Sequence, residues 1–311
     1  MRYLCIGEPL VEFTTAPDTP DSFIRRAGGD ALNTAIYLAR LTGAGQVGYL
    51  SCLGDDPQSL WLRQTIAEEG VDISTLAQRP NARPGLSFIA TDENGERSFT
   101  YWREQAPYRS HFDKPVNVAD LDRADVLYVS GVALAVLNPK GRVNLLHALA
   151  RRRSEGAQVV FDTNYRPVLW SDARTASSVL GAAAGIASVV LPSSADIAAC
   201  FDVPTPDAAM TFLMTLTDAE VVLTSGRGAV LYRPEGGKTF DCHELPPAVT
   251  AVDTTGAGDS FNAAWLASRG NGATVAASIQ DAARLAAIVV RHRGAIIPVA
   301  AMAHLIRKEN L

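Results

Sequence analysis

The segment Asp253-Thr254-Thr255-Gly256-Ala257-Gly258-Asp259-Ser260-Phe261 concentrates more chemistry than any other part of the 311-residue chain. A Gly-rich turn there runs directly into an apolar helical stretch, Phe261 to Ala267. Unblocked backbone N–H groups at a helix N-terminus attract an anion, because free donors and the helix dipole both favour negative charge. Asp259 would sit in the first turn. The plain alternative is a helix cap, for which Thr and Asp are common and which stabilises by about 1 kcal/mol. Two threonines, two glycines and an aspartate within seven residues exceed what a cap requires.

Other familiar nucleotide motifs fail. Gly7-Glu8-Pro9-Leu10 follows an apolar run but is not GxGxxG. Gly237-Lys238-Thr239 looks like the end of a P-loop, yet position 232 is Tyr and no helical pattern follows, so it reads as a surface turn. The histidines at 111, 147, 243, 292 and 304 lack ligand spacing, and the cysteines at 5, 52, 200 and 242 form no CxxC. Neither a zinc site nor a disulfide framework is indicated, which suits a reducing compartment.

The elements that must position these residues alternate. Tyr3 to Ile6, Val47 to Leu53, Val126 to Val129, Val159 to Asp162, Ser188 to Leu191 and Val221 to Thr224 read as strands. Ala31 to Leu41, entered through Gly28-Gly29-Asp30, and Leu60 to Glu69 read as helices. Residues 14 to 26 are rich in Thr, Pro and Asp, then basic, and read as a loop or an excursion from the main layer. Leu86 to Ala90 and Arg97 to Trp102 flank Asp92-Glu93-Asn94-Gly95, a strong hairpin signal. The pattern predicts an α/β fold with a mostly parallel sheet, helices on both faces and a small β flap.

Composition narrows the field. A hydrophobic share of 47% with a net charge of −5 excludes a mainly disordered chain and argues against nucleic-acid binding. No apolar run approaches the roughly 18 residues of a membrane span. The N-terminus has no signal-peptide pattern, so a cytoplasmic location is expected.

Gly28-Gly29 with Asn33, together with Asp253 to Asp259, resemble the two signatures of the ribokinase/PfkB sugar kinases, in matching order along nearly the whole chain. Gly7 to Glu12, Gly28 to Thr34, Tyr101 to Glu104, Asp162 to Trp170 and Arg293 to Pro298 look like the branch that phosphorylates 2-keto-3-deoxygluconate. The resemblance implies one ribokinase-like three-layer kinase domain over residues 1–311, with a lid from about 12–30 and 84–110. It implies ATP-dependent phosphorylation of the sugar acid's C6 hydroxyl, with ATP and Mg2+ as cofactors. Asp259 becomes the general base, and the backbone of Gly256, Ala257 and Gly258 the anion hole.

The resemblance also assigns the pocket. Gly29, Asp30 and Asn33 go to sugar hydroxyls, and Phe88, where relatives often have Tyr, to the pocket wall. Tyr101 and Arg103 share a strand face by period-two geometry while Trp102 faces away, and Arg is the usual planar partner of a carboxylate. The plain alternative is that Arg97, Arg103 and Arg109 solvate a flap. Asn164 and Arg166 are assigned to both sugar acid and nucleotide, Asn164 having an ordinary turn role as its alternative. Ser225, Gly226, Arg227 and Gly228 are assigned to ATP, against a plain β-turn. The family's magnesium-associated Asn-x-x-Glu is here Ser193-x-x-Asp196, so no metal ligand is assigned. Glu12 stands where many neutral-sugar kinases have Asp. Two other functions fit: fructokinase or a related sugar kinase, and a catalytically silent sugar-acid sensor. Small-molecule partners are expected, without nucleic acid or membrane, and the lid's apolar face offers a surface for a homo-oligomer.

Overall fold

Strands buried on both faces need helices above and below them, and that requirement shapes this molecule. The computed structural model describes residues 1–16, 19–91, 97–226 and 228–306. Its strands are β1 (Tyr3–Ile6), β2 (Leu10–Ala16), β3 (Thr19–Gly28), β4 (Val47–Leu53), β5 (Leu76–Gln78), β6 (Gly85–Thr91) and β7 (Arg97–Trp102). They continue as β8 (Val126–Ser130), β9 (Gln158–Asp162), β10 (Val189–Val190), β11 (Glu220–Thr224), β12 (Ala229–Arg233) and β13 (Asp241–Glu244).

Nine strands form the main sheet in the order β13-β12-β11-β10-β9-β8-β1-β4-β5. From β11 to β5 the pairings are parallel, and β12 and β13 close one edge antiparallel. Strand alternation divides the core. Tyr3, Cys5, Tyr128 and Val160 join one apolar cluster with the helices Asp30–Thr42, Ala257–Gly270 and Val275–Val289. Leu4, Ile6, Val129 and Phe161 join the other, with Pro139–Ser154, Ala173–Ile186 and Pro206–Leu216. The result is the predicted three-layer α/β sandwich. The chain runs outward from β1 through β4 to β5, then returns to β8 and proceeds the other way. Strand order therefore reverses between β1 and β8, where open α/β sheets leave a crevice at the carboxyl ends of the strands.

A second sheet, β3-β2-β6-β7, contains the predicted hairpin as β6 and β7. The expected turn at 92–95 lies outside the described residues. Residues 14 to 26 are corrected: most of the segment is strand, in the antiparallel pair β2 and β3. Threonine is β-branched and well suited to strands, and Pro20 is tolerated because β3 is an edge. The helix expected at Leu60 begins earlier, at Pro57, because Asp56 caps it by accepting from the Gln58 N–H at 3.0 Å. Strands β5, β12 and β13 were not expected.

Helix Asp30–Thr42 packs against the segment that follows Val289. Tyr37 donates to the Ala295 carbonyl at 2.6 Å and accepts from the Ile297 N–H at 3.1 Å. Burial pushes its phenol up to about 12, so it remains protonated as a donor. Ala295 in turn backs Gly256, whose φ of 77° is left-handed and whose missing Cβ would lie 2.6 Å from the Ala295 carbonyl oxygen. Tyr37→Phe leaves two buried backbone groups unsatisfied. It should lower stability by about 1–3 kcal/mol, seen as a reduced urea midpoint at unchanged m-value.

Candidate active site

Tyr128 of β8, Asp162 at the carboxyl end of β9 and the starts of two helices meet around Asp259. Asp259 lies in the first turn of helix Ala257–Gly270 and is buried. Asn33, one turn into helix Asp30–Thr42, donates from Nδ2 to Asp259 Oδ2 at 2.8 Å. The Thr34 hydroxyl lies 3.3 Å from both the Asp259 carbonyl and the Tyr128 hydroxyl. Below them Tyr128 and Asn262 donate to Asp162 Oδ2, at 3.1 and 2.9 Å. A polar network thus ties both helix starts to the ends of β8 and β9.

Helix Asp30–Thr42 can begin here because of Gly29. Its φ is 118°, and a Cβ would fall 2.4 Å from the Glu8 carbonyl oxygen. Asp30 Oδ2 accepts from Asn164 Nδ2 at 2.8 Å. Asn164 itself has φ of 25°, supported by the bond from its N–H to Asp162 Oδ1 at 3.1 Å. Asn164 therefore combines the turn role with a direct hold on Asp30.

The turn that opens helix Ala257–Gly270 leaves part of its backbone unengaged. Gly256 caps the helix without a side-chain bond. The Ala257 N–H turns back to the Thr254 carbonyl at 3.3 Å, so it is already engaged. The N–H groups of Gly256 and Gly258 have no acceptor among the described residues. Asp253 is structural: its carboxylate accepts from Thr255 N–H at 3.0 Å and from Gly294 N–H at 2.6 Å. It ties the turn to the loop behind it.

Register fixes what the second sheet presents. Arg26, Glu12, Ser87 and Tyr101 form one row across its four strands, and Arg103 extends the face beyond Tyr101. The guanidinium of Arg103 lies 5.2 Å from the Tyr101 ring centroid. Its Nε donates to Glu8 Oε2 at 2.8 Å, and Nη2 donates to the same oxygen. Phe88 is corrected. It faces the opposite side, stacked on Phe13 at 4.9 Å and edge-on to Trp102 at 4.9 Å. A strand alternates faces residue by residue, so a slip of one position exchanges inside for outside. The residue that shares Tyr101's face is Ser87, buried with no hydrogen-bond partner for its Oγ among the described residues.

Arg166 is half-exposed and pairs with Asp196 at 3.4 Å. It is close enough to lower the Asp259 and Tyr101 ionisations. Ser225, Gly226 and Gly228 form the turn between β11 and β12, where the Ser225 hydroxyl donates to the Ala229 carbonyl at 2.7 Å. Both glycines have positive φ. Arg227 lies outside the described residues. Glu8, Thr34, Ser87, Tyr128, Asp162 and Asn262 were missed by sequence reasoning. A Gly-Glu pair directly after the first strand was the available signal for Glu8.

Burial, reinforced by the negative charge of Asp30, pushes the Asp259 carboxyl up to about 8, with Asn33 and Arg166 opposing. Burial likewise raises Asp162 well above the carboxylate range, with Asp196 and Asp259 adding to it. No cluster of three metal-ligating side chains occurs among the described residues.

The chain belongs to the pfkB family of carbohydrate kinases, whose profile matches residues 3–302. It is 36% identical over 310 residues to 2-dehydro-3-deoxygluconokinase of Dickeya dadantii, covering 96% of this chain and 97% of that one. A PfkB protein from Polaromonas sp. JS666 superimposes with a TM-score of 0.82 at 23% identity, covering 98% and 99% of the two chains. A putative ribokinase II of Escherichia coli, solved in complex with ATP and Mg2+, gives a TM-score of 0.80 at 23% identity over 94% of each chain.

The raised Asp259 ionisation has a stability consequence with a definite sign. The unfolded carboxyl ionises from about 3.8, whereas the folded one holds its proton until about 8. The cost to folding is thus absent below the lower value and complete above the higher one. Asp259→Asn should be more stable than the parent at pH 8.5 and little different at pH 4, the gain growing as pH rises between the two values. Thermal melts at the two pH values check this.

Proposed function

We propose that this kinase transfers the γ-phosphoryl group of ATP to the C6 hydroxyl of 2-keto-3-deoxy-D-gluconate, giving the 6-phosphate and ADP. The observation that carries the reading is a buried carboxylate, Asp259, beside two unengaged N–H groups at a helix start. The hydroxyl oxygen attacks the γ-phosphorus, the bond to the β–γ bridging oxygen breaks, and Asp259 takes the hydroxyl proton. The N–H groups of Gly256 and Gly258, with the helix dipole, face the charge on the transferring group. Ala257 contributes less, its N–H being shared with Thr254.

Gly29, Asp30 and Asn33 serve sugar hydroxyls. Asn33 Oδ1 and Ser87 Oγ are buried without hydrogen-bond partners among the described residues, as expected of a pocket for a polyhydroxylated ligand. Tyr101, Arg103 and Arg166 serve the carboxylate. Asn164 acts by fixing Asp30 and the approach to the nucleotide. Ser225, Gly226, Arg227 and Gly228 are assigned to the nucleotide, and Mg2+ neutralises charge on its phosphates. Residues 1–311 act as one kinase unit in the cytoplasm, and the second sheet closes as a lid. Its outer aromatic face, with Phe23 and Trp102 more than half exposed, is the surface for a second copy.

One observation favours a neutral sugar such as fructose: Glu8 already pairs Arg103. A coupled ADP-release assay with Mg·ATP separates the readings, comparing 2-keto-3-deoxygluconate, fructose, ribose and no sugar. Turnover confined to the keto-deoxy acid is expected. Activity on fructose alone would overturn the substrate, and silence on all with ATP still bound would favour the sensor. Asp259→Asn should lower kcat by at least about 10²-fold. Near-native turnover would remove Asp259 from the base role.

A further inference from the structure

We propose that Glu8 is a positioning residue that sets sugar-acid affinity by fixing the plane of Arg103. The inference rests on the sugar-acid reading above and adds a residue to it. Glu8 follows Gly7 just beyond the end of β1, at the reversal of strand order, and reaches Arg103 just beyond the end of β7. Both side chains are buried. Glu8 Oε2 accepts two guanidinium N–H groups, from Nε and Nη2, which fixes the orientation of a long side chain. The Tyr101 ring supports the guanidinium on another side. Nη1 makes no hydrogen bond to any described residue, so one edge of the fork is left over for a ligand. Glu8 Oε1 is buried without a hydrogen-bond partner among the described residues. Room for the pair comes from Gly85, where a Cβ would lie 2.9 Å from Glu8 Oε1 and 3.1 Å from Arg103 Cβ.

Competing acids make such a restraint necessary. Asp30 and Glu12 both act electrostatically on the neighbouring Tyr101, as Arg103 does. A guanidinium released from Glu8 would turn toward one of these acids. That would occupy the group meant for the ligand's carboxylate and also an acceptor meant for its hydroxyls. Recognition of a planar carboxylate by a planar fork depends on alignment as well as charge, so the loss should fall on substrate affinity. ATP meets the other end of the site.

The test is a double-mutant cycle of Glu8→Gln and Arg103→Met, read as KM for 2-keto-3-deoxygluconate and for ATP, with thermal melts alongside. Glu8→Gln keeps the shape and removes the charge. It should raise KM for the sugar acid by 10-fold or more while KM for ATP changes by less than 2-fold. In the Arg103→Met background the same change should alter KM for the sugar acid by less than 2-fold. Glu8→Asp, with its charge on a shorter arm, should restore part of the affinity, and it serves as the working variant if Glu8→Gln does not fold. If Arg103→Met raises KM and the Glu8 variants do not, the positioning role is overturned and the sugar-acid reading stands. Independent, additive effects would equally overturn it, because Glu8 would then act on the fold rather than through Arg103. An unchanged KM in Arg103→Met would overturn the sugar-acid reading, and this inference with it.

Discussion

A carboxylate placed where water is excluded must be held against its own desolvation, and the rest of this structure answers that constraint. Asp259 is buried beside Asp30, where a helix dipole, an amide from Asn33 and the charge of Arg166 oppose the cost together. The opposition is incomplete, which leaves the carboxyl poised near neutrality instead of deep in the ionised range. A group so poised both accepts a proton and releases it within ordinary pH. The same poise costs stability, and the core on both faces of the nine-stranded sheet has to carry it.

Chain order explains how the site is assembled. Helix Asp30–Thr42 delivers Asn33, Thr34 and Tyr37 to three different partners: the Asp259 carboxylate, the network beneath it and the loop behind the Gly256 turn. The second sheet is threaded between β1 and that helix, then again between β5 and β8. Its inner row of Glu12, Ser87 and Tyr101 therefore confronts Asp259 without belonging to the layer that holds Asp259. Arg26 also reaches across, with Nη1 3.5 Å from the Arg293 carbonyl in the loop backing the anion turn. The second sheet and the Gly256 turn are thereby joined through a few named contacts.

Much of this was legible in the residues. Short continuous apolar runs located the central strands, and the glycines and aspartates at 253–259 located the turn into helix Ala257–Gly270, because local geometry demands those residue types. The strands at 10–28 were harder, since the segment is rich in Thr, Pro and Asp and so reads as a loop. Phe88 was misplaced by one position, and nothing in a strand's composition reveals which residue of a pair faces in until its register is known. The Glu8–Arg103 pair joins residues far apart in sequence, across two sheets. A contact of that kind follows from tertiary packing alone, as does the engagement of the Ala257 N–H by Thr254.

The most direct test of the central claim, that Asp259 is a buried base poised near neutrality, is the pH dependence of kcat/KM for the sugar acid at saturating Mg·ATP. This quantity reports ionisations of the enzyme before the sugar acid binds. The account predicts a rate that climbs with pH and levels off above an inflection near 8, where Asp259 loses its proton. A profile that is flat from pH 6 to 9, or that inflects only in the ordinary carboxylate range, would contradict it.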